Sequence, residues 1–302
     1  MDCKNTISNS IVILKKHNIK FPHLDAEILL SFVSKKPREF LLTHPEFQLT
    51  KTQLDRFNKL ISRRIKGEPI AYLTGKKGFY GLEFLVSKDV LVPRPETGLM
   101  IDEALKIIKT KQTKFTFIDV GTGSGCIIIT LARLIANQQQ QIIEYKLYGL
   151  DVSKRALSVA RRNVKFNGIK EKIKFLQGNL LEPILKKSKF KIDRNSRILI
   201  FANLPYGWSA WKNNSSADTI GLKFEPKIAL FTGKNGLELY EKLLIQLKLI
   251  KEIKKDITAF LEIDPRQTVA IKKMIKKSLP NANFEIKKDL KGHNRLVILE
   301  LN

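Results

Sequence analysis

The sequence predicts an α/β protein with a Rossmann-like, doubly wound sheet, preceded by a small helical domain and a β-hairpin connector. Three observations lead to this fold class. Residues 1–75 carry helical apolar spacing interrupted by prolines, and 76–92 is an apolar stretch that contains glycine. Over 93–302, short apolar strands alternate with amphipathic helices. Because that alternation is typical of a sheet with helices on both faces, 93–302 is expected to form the main domain.

The composition places this 302-residue chain among globular proteins, since it is 43% hydrophobic and 28% charged. No run approaches the roughly 18 apolar residues of a membrane-spanning helix, and the first residues lack the apolar core of a signal peptide. The two cysteines, Cys3 and Cys126, have no partners at metal-ligand spacing. We therefore expect a monomeric cytoplasmic protein without disulfides, a metal site or membrane association.

The formal net charge of +26 is carried mostly by lysines spread along the whole chain, and it permits two interpretations. One is a general bias of composition toward lysine, isoleucine and asparagine. The other is a working affinity for a polyanion such as ribosomal RNA. Charge alone does not decide between them, so direct RNA binding is compatible with the sequence but is not required by it.

Residues 1–75 show the pattern of several short amphipathic helices. Apolar residues recur at three- or four-residue spacing, and the stretch is interrupted by Pro22, Pro37 and Pro45. Thr50 and Gln53 are spaced to form a capping box at the start of a further helix, which Gly67 ends. This segment is predicted to be a small helical bundle.

The pattern changes at 76–92. Apolar residues surround Gly81, and a polar turn at Ser87–Asp89 precedes the apolar Val90–Val92. These features predict short antiparallel strands, which would form a hairpin connector. Two prolines then stiffen the chain ahead of a helix that starts near Thr97.

Six strands are predicted in the remainder of the chain, each from an apolar run bounded by turn or helix signals. They are Phe115–Val120, Lys146–Asp151, Ile173–Gln177, Ile198–Ala202, Ile257–Ile263 and Leu296–Leu301. Helices fill the intervals, notably Lys154–Asn167 and Gly236–Lys251.

A glycine-rich turn, Asp-Val-Gly-Thr-Gly-Ser-Gly, directly follows the first of these strands. Its glycines let the backbone pass close to a ligand and adopt positive φ. A dinucleotide fingerprint would have its third glycine one residue later, and a P-loop would need a Lys-Ser/Thr pair. The spacing instead matches the S-adenosylmethionine turn. Contacts with that cofactor are expected from Asp119, Gly121, Thr122, Gly123, Ser124 and Gly125.

Asp151 ends the next strand, where its two oxygens can accept hydrogen bonds from both ribose hydroxyls of the cofactor. The alternative role for Asp151 is to cap the helix that starts nearby. After the third strand, Asn179 and Leu180 are expected to flank the adenine, although Asn179 can also be a plain turn residue.

The fourth strand ends in Asn-Leu-Pro-Tyr, which places a carboxamide, backbone carbonyls and an aromatic ring at the carboxyl edge of the sheet. Open α/β sheets bind their ligands at that edge. These groups can hold a planar, amide-like nitrogen and present it to an electrophile. The motif therefore predicts methyl transfer to a flat nitrogen, with Asn203 also facing the cofactor. The predicted catalytic and substrate-binding residues are Asn203, Leu204, Pro205 and Tyr206.

Nine segments of the chain together resemble one known family. They are Gly67–Leu73, Phe79–Leu82, Val90–Thr97, Asp119–Gly125, Asp151–Ser153, Asn203–Tyr206, Glu225–Leu230, Gly236-Leu237 with Tyr240, and Leu261–Ile263 with Gln267. The glycine turn and Asn-x-Pro-Tyr are shared by many methyltransferases. Glu-Pro-Ile-Ala-Tyr, Phe-Tyr-Gly-Leu and Pro-Arg-Pro-Glu-Thr in this order are much more specific. Over nearly its full length the chain resembles the PrmC/HemK-type release factor glutamine N5-methyltransferases, which are class I S-adenosylmethionine-dependent enzymes.

The resemblance implies a substrate, the glutamine of the Gly-Gly-Gln tripeptide in class I peptide chain release factors. It also implies that Asn203 and the Leu204 carbonyl hydrogen-bond the glutamine amide, and that Tyr206 packs beside the site. We expect residues 1–75 to recognise the protein substrate, while 93–302 bind the cofactor and perform the chemistry.

The chain departs from the family pattern at three places. Leu204 stands where proline is usual, and Gly98 stands where an acidic residue often follows Pro-Arg-Pro-Glu-Thr. Asn179 and Leu180 replace a more typical aspartate and aromatic residue near the adenine. The carbonyl of residue 204 survives the first change, and Pro205 still biases Leu204 toward extended backbone.

Two other substrates remain open. The rRNA adenine dimethylases carry a similar Asn-Leu-Pro-Tyr motif, and a flipped adenine presents the same planar amino group. An RNA or DNA adenine N6-methyltransferase is therefore one alternative, and a ribosomal-protein glutamine methyltransferase is the other.

Overall fold

The structure is a computed structural model that describes residues 1–109, 113–136, 142–186, 196–208, 219–233, 235–253 and 256–301. The chain divides into two compact units. The first contains residues 1–76 with 214–224, and the second contains 77–213 with 225–302.

Helices and strands follow one another along the chain as separate short elements. The α-helices are α1 Cys3–Lys16, α2 Pro22–Ser34, α3 Arg38–Thr43, α4 Lys51–Arg64, α5 Ile70–Thr74, α6 Gly98–Lys109, α7 Cys126–Ala136, α8 Lys154–Phe166, α9 Glu182–Leu185, α10 Thr219–Leu222, α11 Lys227–Leu230, α12 Glu238–Ile253 and α13 Thr268–Ser278. The strands are β1 Lys76–Phe79, β2 Leu82–Leu85, β3 Thr113–Val120, β4 Ile142–Asp151, β5 Ile173–Gln177, β6 Ser196–Ala202, β7 Ile257–Glu262, β8 Asn283–Lys288 and β9 Asn294–Leu301. Short 3₁₀ turns occur at Pro95–Thr97 and Pro265–Gln267.

In the first unit, the apolar sides of α1–α5 meet in one core. Leu14, Leu29, Leu30 and Phe57 are completely buried there. Each helix is short, and its apolar face is covered by its neighbours, so the bundle rather than any isolated helix supplies the stability. The helical N-terminal region predicted from the sequence is confirmed.

Helix α4 shows how local sequence sets a helix start. The backbone N–H of Gln53 donates to Thr50 Oγ1 over 3.2 Å, and the N–H of Thr50 donates to Gln53 Oε1 over 2.9 Å. This is the predicted capping box. The helix ends at Arg64, shortly before Gly67. Arg64 Nε donates to Asp25 Oδ2 of α2 over 2.7 Å, so a buried ion pair joins the two helices.

Strands β1 and β2 form the predicted hairpin. Tyr80 and Gly81 make its turn, and both have positive φ (48° and 75°), as tight hairpin turns require. The prediction of a further strand at Val90–Val92 is wrong, because this stretch forms a turn and a loop. The N–H of Val90 closes that turn on the carbonyl of Ser87 over 3.1 Å.

The hairpin is attached to the rest of the second unit by two asparagines of the α8 region. Asn163, which is completely buried, accepts from the N–H of Leu85 over 2.6 Å and donates back to its carbonyl over 2.9 Å. Asn167 Nδ2 donates to the carbonyl of Glu83 over 2.9 Å. Side-chain amides thus take the place of a further strand along this edge of β2.

The second unit contains a seven-stranded sheet in the order β5-β4-β3-β6-β7-β9-β8. The first five strands are parallel, and β9 runs antiparallel to both β7 and β8. Alternate residues of β6 face opposite layers: Ile198, Ile200 and Ala202 join one core cluster, whereas Leu199 and Phe201 join the other. Helices cover both faces, which confirms the doubly wound α/β fold.

All six predicted strands are present, although β4 starts at Ile142 rather than at Lys146. Strand β8 was not predicted. Its apolar residues, Phe284 and Ile286, are only partly buried and alternate with polar ones at the edge of the sheet. A short, polar edge strand leaves little hydrophobic signal in a sequence.

The topology positions the ligand site. Strand β3 has β4 on one side and β6 on the other, so the connections that leave β3 and β6 diverge to opposite faces of the sheet. A crevice forms at such a switch point, outside the carboxyl ends of the strands. The glycine turn follows β3, and Asn-Leu-Pro-Tyr follows β6.

Candidate active site

A cavity of about 400 Å³ occupies this crevice. Its walls come from the segments that follow β3, β4, β5 and β6, together with the loop at 89–97 and residues around α11. The size and the convergence of several loops are typical of a small-molecule site. Of the residues predicted from sequence, those that line the cavity are Gly121, Thr122, Gly123, Ser124, Asp151, Asn179, Leu180, Asn203, Leu204 and Pro205.

The glycine turn is held under the cavity by backbone hydrogen bonds. The N–H groups of Gly121 and Thr122 both donate to the carbonyl of Leu150, each over 2.8 Å. The N–H of Gly125 then donates to the carbonyl of Thr122 over 2.8 Å and leads directly into α7. The turn therefore joins the ends of β3 and β4 and exposes its own backbone to the cavity.

Two glycines of this turn cannot be replaced without displacement of a neighbour. At Gly121, where φ is 72°, a Cβ would lie 3.2 Å from Leu204 Cδ2. At Gly125, where φ is 81°, it would lie 2.8 Å from Ile129 Cδ1 and 3.2 Å from Ala160 Cβ. Because Gly121 has no side chain, the turn can approach Leu204. Because Gly125 has none, α7 can pack against α8.

Asp119 does not line the cavity but lies beneath it, completely buried. Its Oδ2 accepts from the hydroxyl of Thr122 over 2.6 Å. Burial raises the pKa of Asp119 to about 7, and hydrogen bonds from Thr122 and from the Ile128 backbone only partly oppose this effect. The charge of Asp151 also raises this pKa. Asp119 therefore contacts Thr122 of the turn rather than the cavity itself.

Asp151 lies next to the glycine turn, and both of its carboxylate oxygens accept hydrogen bonds from backbone N–H groups. Oδ2 accepts from the N–H of Gly123 over 2.9 Å, and Oδ1 accepts from the N–H of Ser153 over 2.8 Å. Burial raises its pKa, against the effect of these amides. The N-cap of α8 is Ser153, whose Oγ accepts from the N–H of Ala156 over 3.2 Å. Helix capping is therefore the task of Ser153, and Asp151 is fixed as an acceptor that faces the cavity.

Asn179 and Leu180 continue the wall after β5. Asn179 is exposed, whereas Leu180 is buried and has a positive φ of 54°. A leucine in this conformation is uncommon and signals a constrained position. The carbonyl of Asn179 also accepts from the N–H of Glu182 at the start of α9 over 3.1 Å.

Asn203 faces the cavity with a defined orientation of its amide. Nδ2 donates to the hydroxyl of Thr97 over 3.0 Å, and Thr97 itself is 2% exposed. The Oδ1 atom has no hydrogen-bond partner in the part of the chain that the structure describes. It is therefore available as an acceptor.

The backbone of Leu204 is fixed from the opposite side. Its N–H donates over 3.3 Å to the hydroxyl of Tyr240, a residue with no solvent exposure. That hydroxyl in turn donates to the backbone carbonyl of Glu262. Among the described residues, nothing donates to the carbonyl of Leu204. A second acceptor thus stands one residue from Asn203 Oδ1.

Pro205 lines the cavity, whereas Tyr206 is directed behind it. The hydroxyl of Tyr206 donates to Glu262 Oε1 over 3.4 Å, and its carbonyl accepts from Gln267 Nε2 over 3.1 Å. Burial raises the pKa of Tyr206, so this hydroxyl stays protonated. In this geometry Tyr206 supports the motif from outside the cavity.

The sequence indicated no role in the site for four residues that support these groups: Thr97, Glu225, Tyr240 and Glu262. Glu225 accepts from the N–H of Val92 over 3.0 Å and forms an ion pair with Arg94, so it anchors the loop that carries Thr97. All four lie in segments by which the chain resembles its family. That resemblance was the one available signal, and it did not indicate what each residue contacts.

Among the residues that the structure describes, none of the helices has the length and apolarity needed to cross a membrane. Within the same residues, no group of three or more His, Cys, Asp or Glu side chains is placed to hold a metal ion.

Two family models match the chain. The PrmC N-terminal domain matches residues 7–75, and the N-6 DNA methylase family matches residues 92–238. The chain is 34% identical to the release factor glutamine methyltransferase of Bacillus subtilis (strain 168) over 275 residues, which cover 90% of this chain and 89% of that protein. It is 34% identical to the protein of the same name from Dictyoglomus turgidum over 284 residues, with 94% and 93% covered.

Longer relatives match as well. The bifunctional methyltransferase of Rickettsia prowazekii is 31% identical over 312 residues, which make up 97% of this chain but 56% of that protein. The chain therefore spans little more than half the length of these bifunctional relatives.

Solved structures share the fold at low identity. The catalytic domain of human METTL16, solved in complex with a MAT2A 3′UTR hairpin, superposes with a TM-score of 0.55 at 14% identity and covers 90% of this chain and 92% of that one. The N-terminal domain of human METTL16 in complex with SAH gives a TM-score of 0.51 at 13% identity, with 90% and 94% covered. At such identities the likeness concerns the fold alone.

Proposed function

The chain belongs to the release factor glutamine methyltransferase family, and we propose that it transfers a methyl group from S-adenosylmethionine to a glutamine side-chain amide. The proposed acceptor is the glutamine of the Gly-Gly-Gln tripeptide in class I peptide chain release factors. One observation carries the proposal: Asn203 and Leu204 both line the cavity beside the glycine turn, and among the described residues nothing donates to Asn203 Oδ1 or to the Leu204 carbonyl. The similarity to proteins named release factor glutamine methyltransferase supports the choice of substrate.

The residues present fit S-adenosylmethionine. Gly121 and Gly123 have no side chains, so their backbone forms part of the cavity wall. Asp151 provides a carboxylate that is oriented by two backbone N–H groups. Each oxygen of Asp151 has lone pairs left for a hydroxyl donor, which suits a ribose diol. Asn179 and Leu180 provide the wall next to it and would flank the adenine. When bound, the cofactor supplies an electrophilic methyl group on a sulfonium.

The chain's own contribution to the reaction is to orient the acceptor nitrogen. An amide NH₂ has two N–H donors, and the two acceptors on Asn203 and Leu204 match them. This pairing fixes the plane of the amide, and such alignment can lower a barrier by several kcal/mol. Two oxygen dipoles aimed at the nitrogen also favour the positive charge that develops there during methyl transfer.

The pairing also selects what can bind. A carboxylate would place its oxygens against the two acceptor oxygens, so glutamate is disfavoured relative to glutamine. No side chain of the cavity is required as a general base, because the methylated amide nitrogen is strongly acidic once its lone pair is used. Its proton can pass to water.

Residues 1–75 are proposed to recognise the release factor. The family model for this segment is a domain of its own, and the segment forms a separate bundle with its own core. The second unit contains the complete cavity described above. This division of labour assigns substrate choice to the first unit and methyl transfer to the second.

The test of the proposal is transfer of labelled methyl from S-adenosylmethionine to purified candidates. Incorporation is expected into a class I release factor and not into the same factor with alanine in place of the Gly-Gly-Gln glutamine. Label on that alanine variant, on rRNA adenine or on a ribosomal-protein glutamine instead would contradict the proposed acceptor. The rRNA arm is included because the net charge of +26 and the match to the N-6 DNA methylase family leave a nucleic-acid acceptor as the alternative.

A further inference from the structure

We propose that Arg94 binds the carboxylate at the amino-acid end of S-adenosylmethionine, and that Glu225 orients the Arg94 guanidinium for this contact. The inference rests on the proposed function, since it concerns the cofactor of the same cavity. Asp151, Asn179 and Leu180 fit the ribose and the adenine, but none of them carries a positive charge. A carboxylate that moves from water into a cavity requires a cation or N–H donors there.

Arg94 is the one cationic side chain among the described residues that line the cavity. The other charged side chains of the wall, Asp89 and Asp151, are acidic and would repel a carboxylate. The Arg94 side chain is 34% exposed, so a ligand in the cavity can reach it. The charges of the wall therefore leave Arg94 as the residue that can hold an anionic group.

The order of the strands shows which end of the cavity the amino-acid portion would occupy. S-adenosylmethionine has its adenine, ribose, sulfonium and amino-acid portion connected in that order. Strands β5, β4, β3 and β6 are consecutive neighbours in the sheet. They lead, respectively, to the proposed adenine wall, the ribose carboxylate, the glycine turn and Asn203. This series assigns the amino-acid end to the side of the cavity near β6.

The loop that carries Arg94 is joined to the β6 side of the cavity. Thr97, three residues further along this loop, accepts from Asn203 Nδ2 at its Oγ1 over 3.0 Å. Burial raises the pKa of Tyr206, and the charge of Arg94 is among those that oppose the rise. Arg94 is therefore close to the Asn-Leu-Pro-Tyr motif, at the end of the cavity assigned to the amino-acid portion.

Glu225 fixes the direction of the guanidinium. The Glu225 side chain is 2% exposed; its Oε1 accepts from Arg94 Nη2, and its Oε2 accepts from the N–H of Val92 over 3.0 Å. A guanidinium has five N–H donors and no acceptor. Among the described residues, no acceptor other than Glu225 is hydrogen-bonded to Arg94. The remaining donors are available to a ligand carboxylate, which a guanidinium can bind through two parallel hydrogen bonds.

The test compares the binding of S-adenosylmethionine with that of decarboxylated S-adenosylmethionine, which lacks only the carboxylate. Calorimetry gives both affinities without any acceptor protein, so the readout does not depend on methyl transfer. The wild-type chain is expected to bind S-adenosylmethionine more tightly by about tenfold or more, because the second ligand cannot accept the charge-assisted hydrogen bonds of Arg94. Equal affinity of the wild-type chain for the two ligands overturns the assignment.

Arg94→Gln should weaken S-adenosylmethionine binding by about tenfold or more and leave the affinity for the decarboxylated form unchanged, so the discrimination is lost. Arg94→Lys keeps the charge without the planar pair of donors and should retain part of the discrimination. Because Arg94→Gln leaves the buried Glu225 without its cation, it is also combined with Glu225→Gln, which removes both charges. The double variant should lose the discrimination in the same way, and it replaces the single variant if that does not fold.

Two further variants separate ligand binding from support of the wall. Arg63 of α4 is also paired with a buried glutamate, Glu68, with Nη2 2.6 Å from Oε1, but it does not line the cavity. Arg63→Gln should therefore leave both affinities unchanged. Asp151→Ala should weaken both ligands alike, because both contain the ribose. If Arg94→Gln also weakens both ligands alike, or changes neither affinity, Arg94 does not bind the carboxylate and the proposal is overturned.

The result for Arg94 can be told apart from the result for the acceptor. A chain that discriminates between the two ligands through Arg94 but methylates no release factor would refute the proposed acceptor and leave the carboxylate site in place. A wild-type chain that binds neither ligand would refute the proposed cofactor and the carboxylate site together.

Discussion

Asp151 and Gly123 are joined by a hydrogen bond of 2.9 Å from the backbone N–H of the glycine to Oδ2 of the carboxylate. This contact connects the end of β4 to the glycine turn that follows β3. The cavity wall at this point therefore consists of backbone held in place by the same carboxylate that is proposed to bind the cofactor. The acidic side chain thus has a structural partner in addition to its proposed ligand-binding role.

Asp151→Ala should weaken S-adenosylmethionine binding by about 1.5–3 kcal/mol, because charge-assisted hydrogen bonds to the ribose are lost and the Gly123 amide is released. Asp151→Asn keeps one acceptor oxygen and should lose less. Calorimetric titration of the folded variants measures the effect. Unchanged cofactor affinity in Asp151→Ala would exclude the ribose assignment.

Asn203→Ala should lower kcat on the order of a hundredfold, because one oriented acceptor at the reacting nitrogen is worth about 3 kcal/mol. Cofactor affinity should change little, since the lost contact acts at the acceptor amide. Steady-state kinetics on a release factor together with calorimetry distinguish the two quantities. If the variant loses cofactor binding but retains kcat, Asn203 contacts the cofactor rather than the acceptor amide, and the assignment is wrong.

Leu204→Pro restores the proline that is usual in the family and should preserve kcat, because the acceptor at this position is a backbone carbonyl. Stability should fall by about 1–3 kcal/mol, since proline cannot donate to Tyr240 and a buried leucine side chain is lost. Urea unfolding and kinetics on the same preparation measure both effects. A large loss of kcat without loss of stability would show that the leucine side chain itself contributes to the site.

Asp119→Asn should change how stability depends on pH. The pKa of Asp119 is raised from 3.8 to about 7 in the folded protein because burial disfavours its charged form. The neutral acid therefore stabilises the fold fully below about pH 4, and this contribution is lost as the pH rises through 7. Asparagine cannot ionise, so the variant should gain on the order of 3–4 kcal/mol relative to wild type between pH 4 and 8.

Urea unfolding of wild type and Asp119→Asn at several pH values measures this difference. Because other titrating groups are common to both proteins, their effects cancel in the comparison. A difference in stability that does not vary with pH would mean that Asp119 is already ionised in the folded protein.

A chain that begins at Lys77 should still bind S-adenosylmethionine, because every residue that lines the cavity lies in the second unit. It should lose most methylation of an intact release factor, because residues 1–75 are proposed to recognise that protein. Calorimetry and labelled-methyl transfer test the two parts separately. Full activity of the shortened chain on an intact factor would refute the assigned role of the first unit.

Much of the cavity wall could be located in the sequence because it depends on local backbone. The glycine turn, Asp151 and Asn-Leu-Pro-Tyr each directly follow a buried strand, and the carboxyl ends of parallel strands meet at one edge of a sheet. Apolar runs in the sequence predicted six of the seven strands of that sheet. Strand β8 was not predicted, because its alternation of apolar and polar residues is weak and half of its residues face solvent. Patterns of this kind are periodic along the chain, so a single sequence contains them.

The orientation of the acceptors was decided by the tertiary structure alone. Thr97 and Asn203 are 106 positions apart, and Leu204 and Tyr240 are 36 apart, yet their side chains and backbone meet within hydrogen-bonding distance. Glu262 ends an apolar strand and shows no sign in the sequence of facing Tyr206. Hydrogen bonds between distant residues leave no periodic trace, because they depend on which strands become neighbours and on the register in which those strands pair.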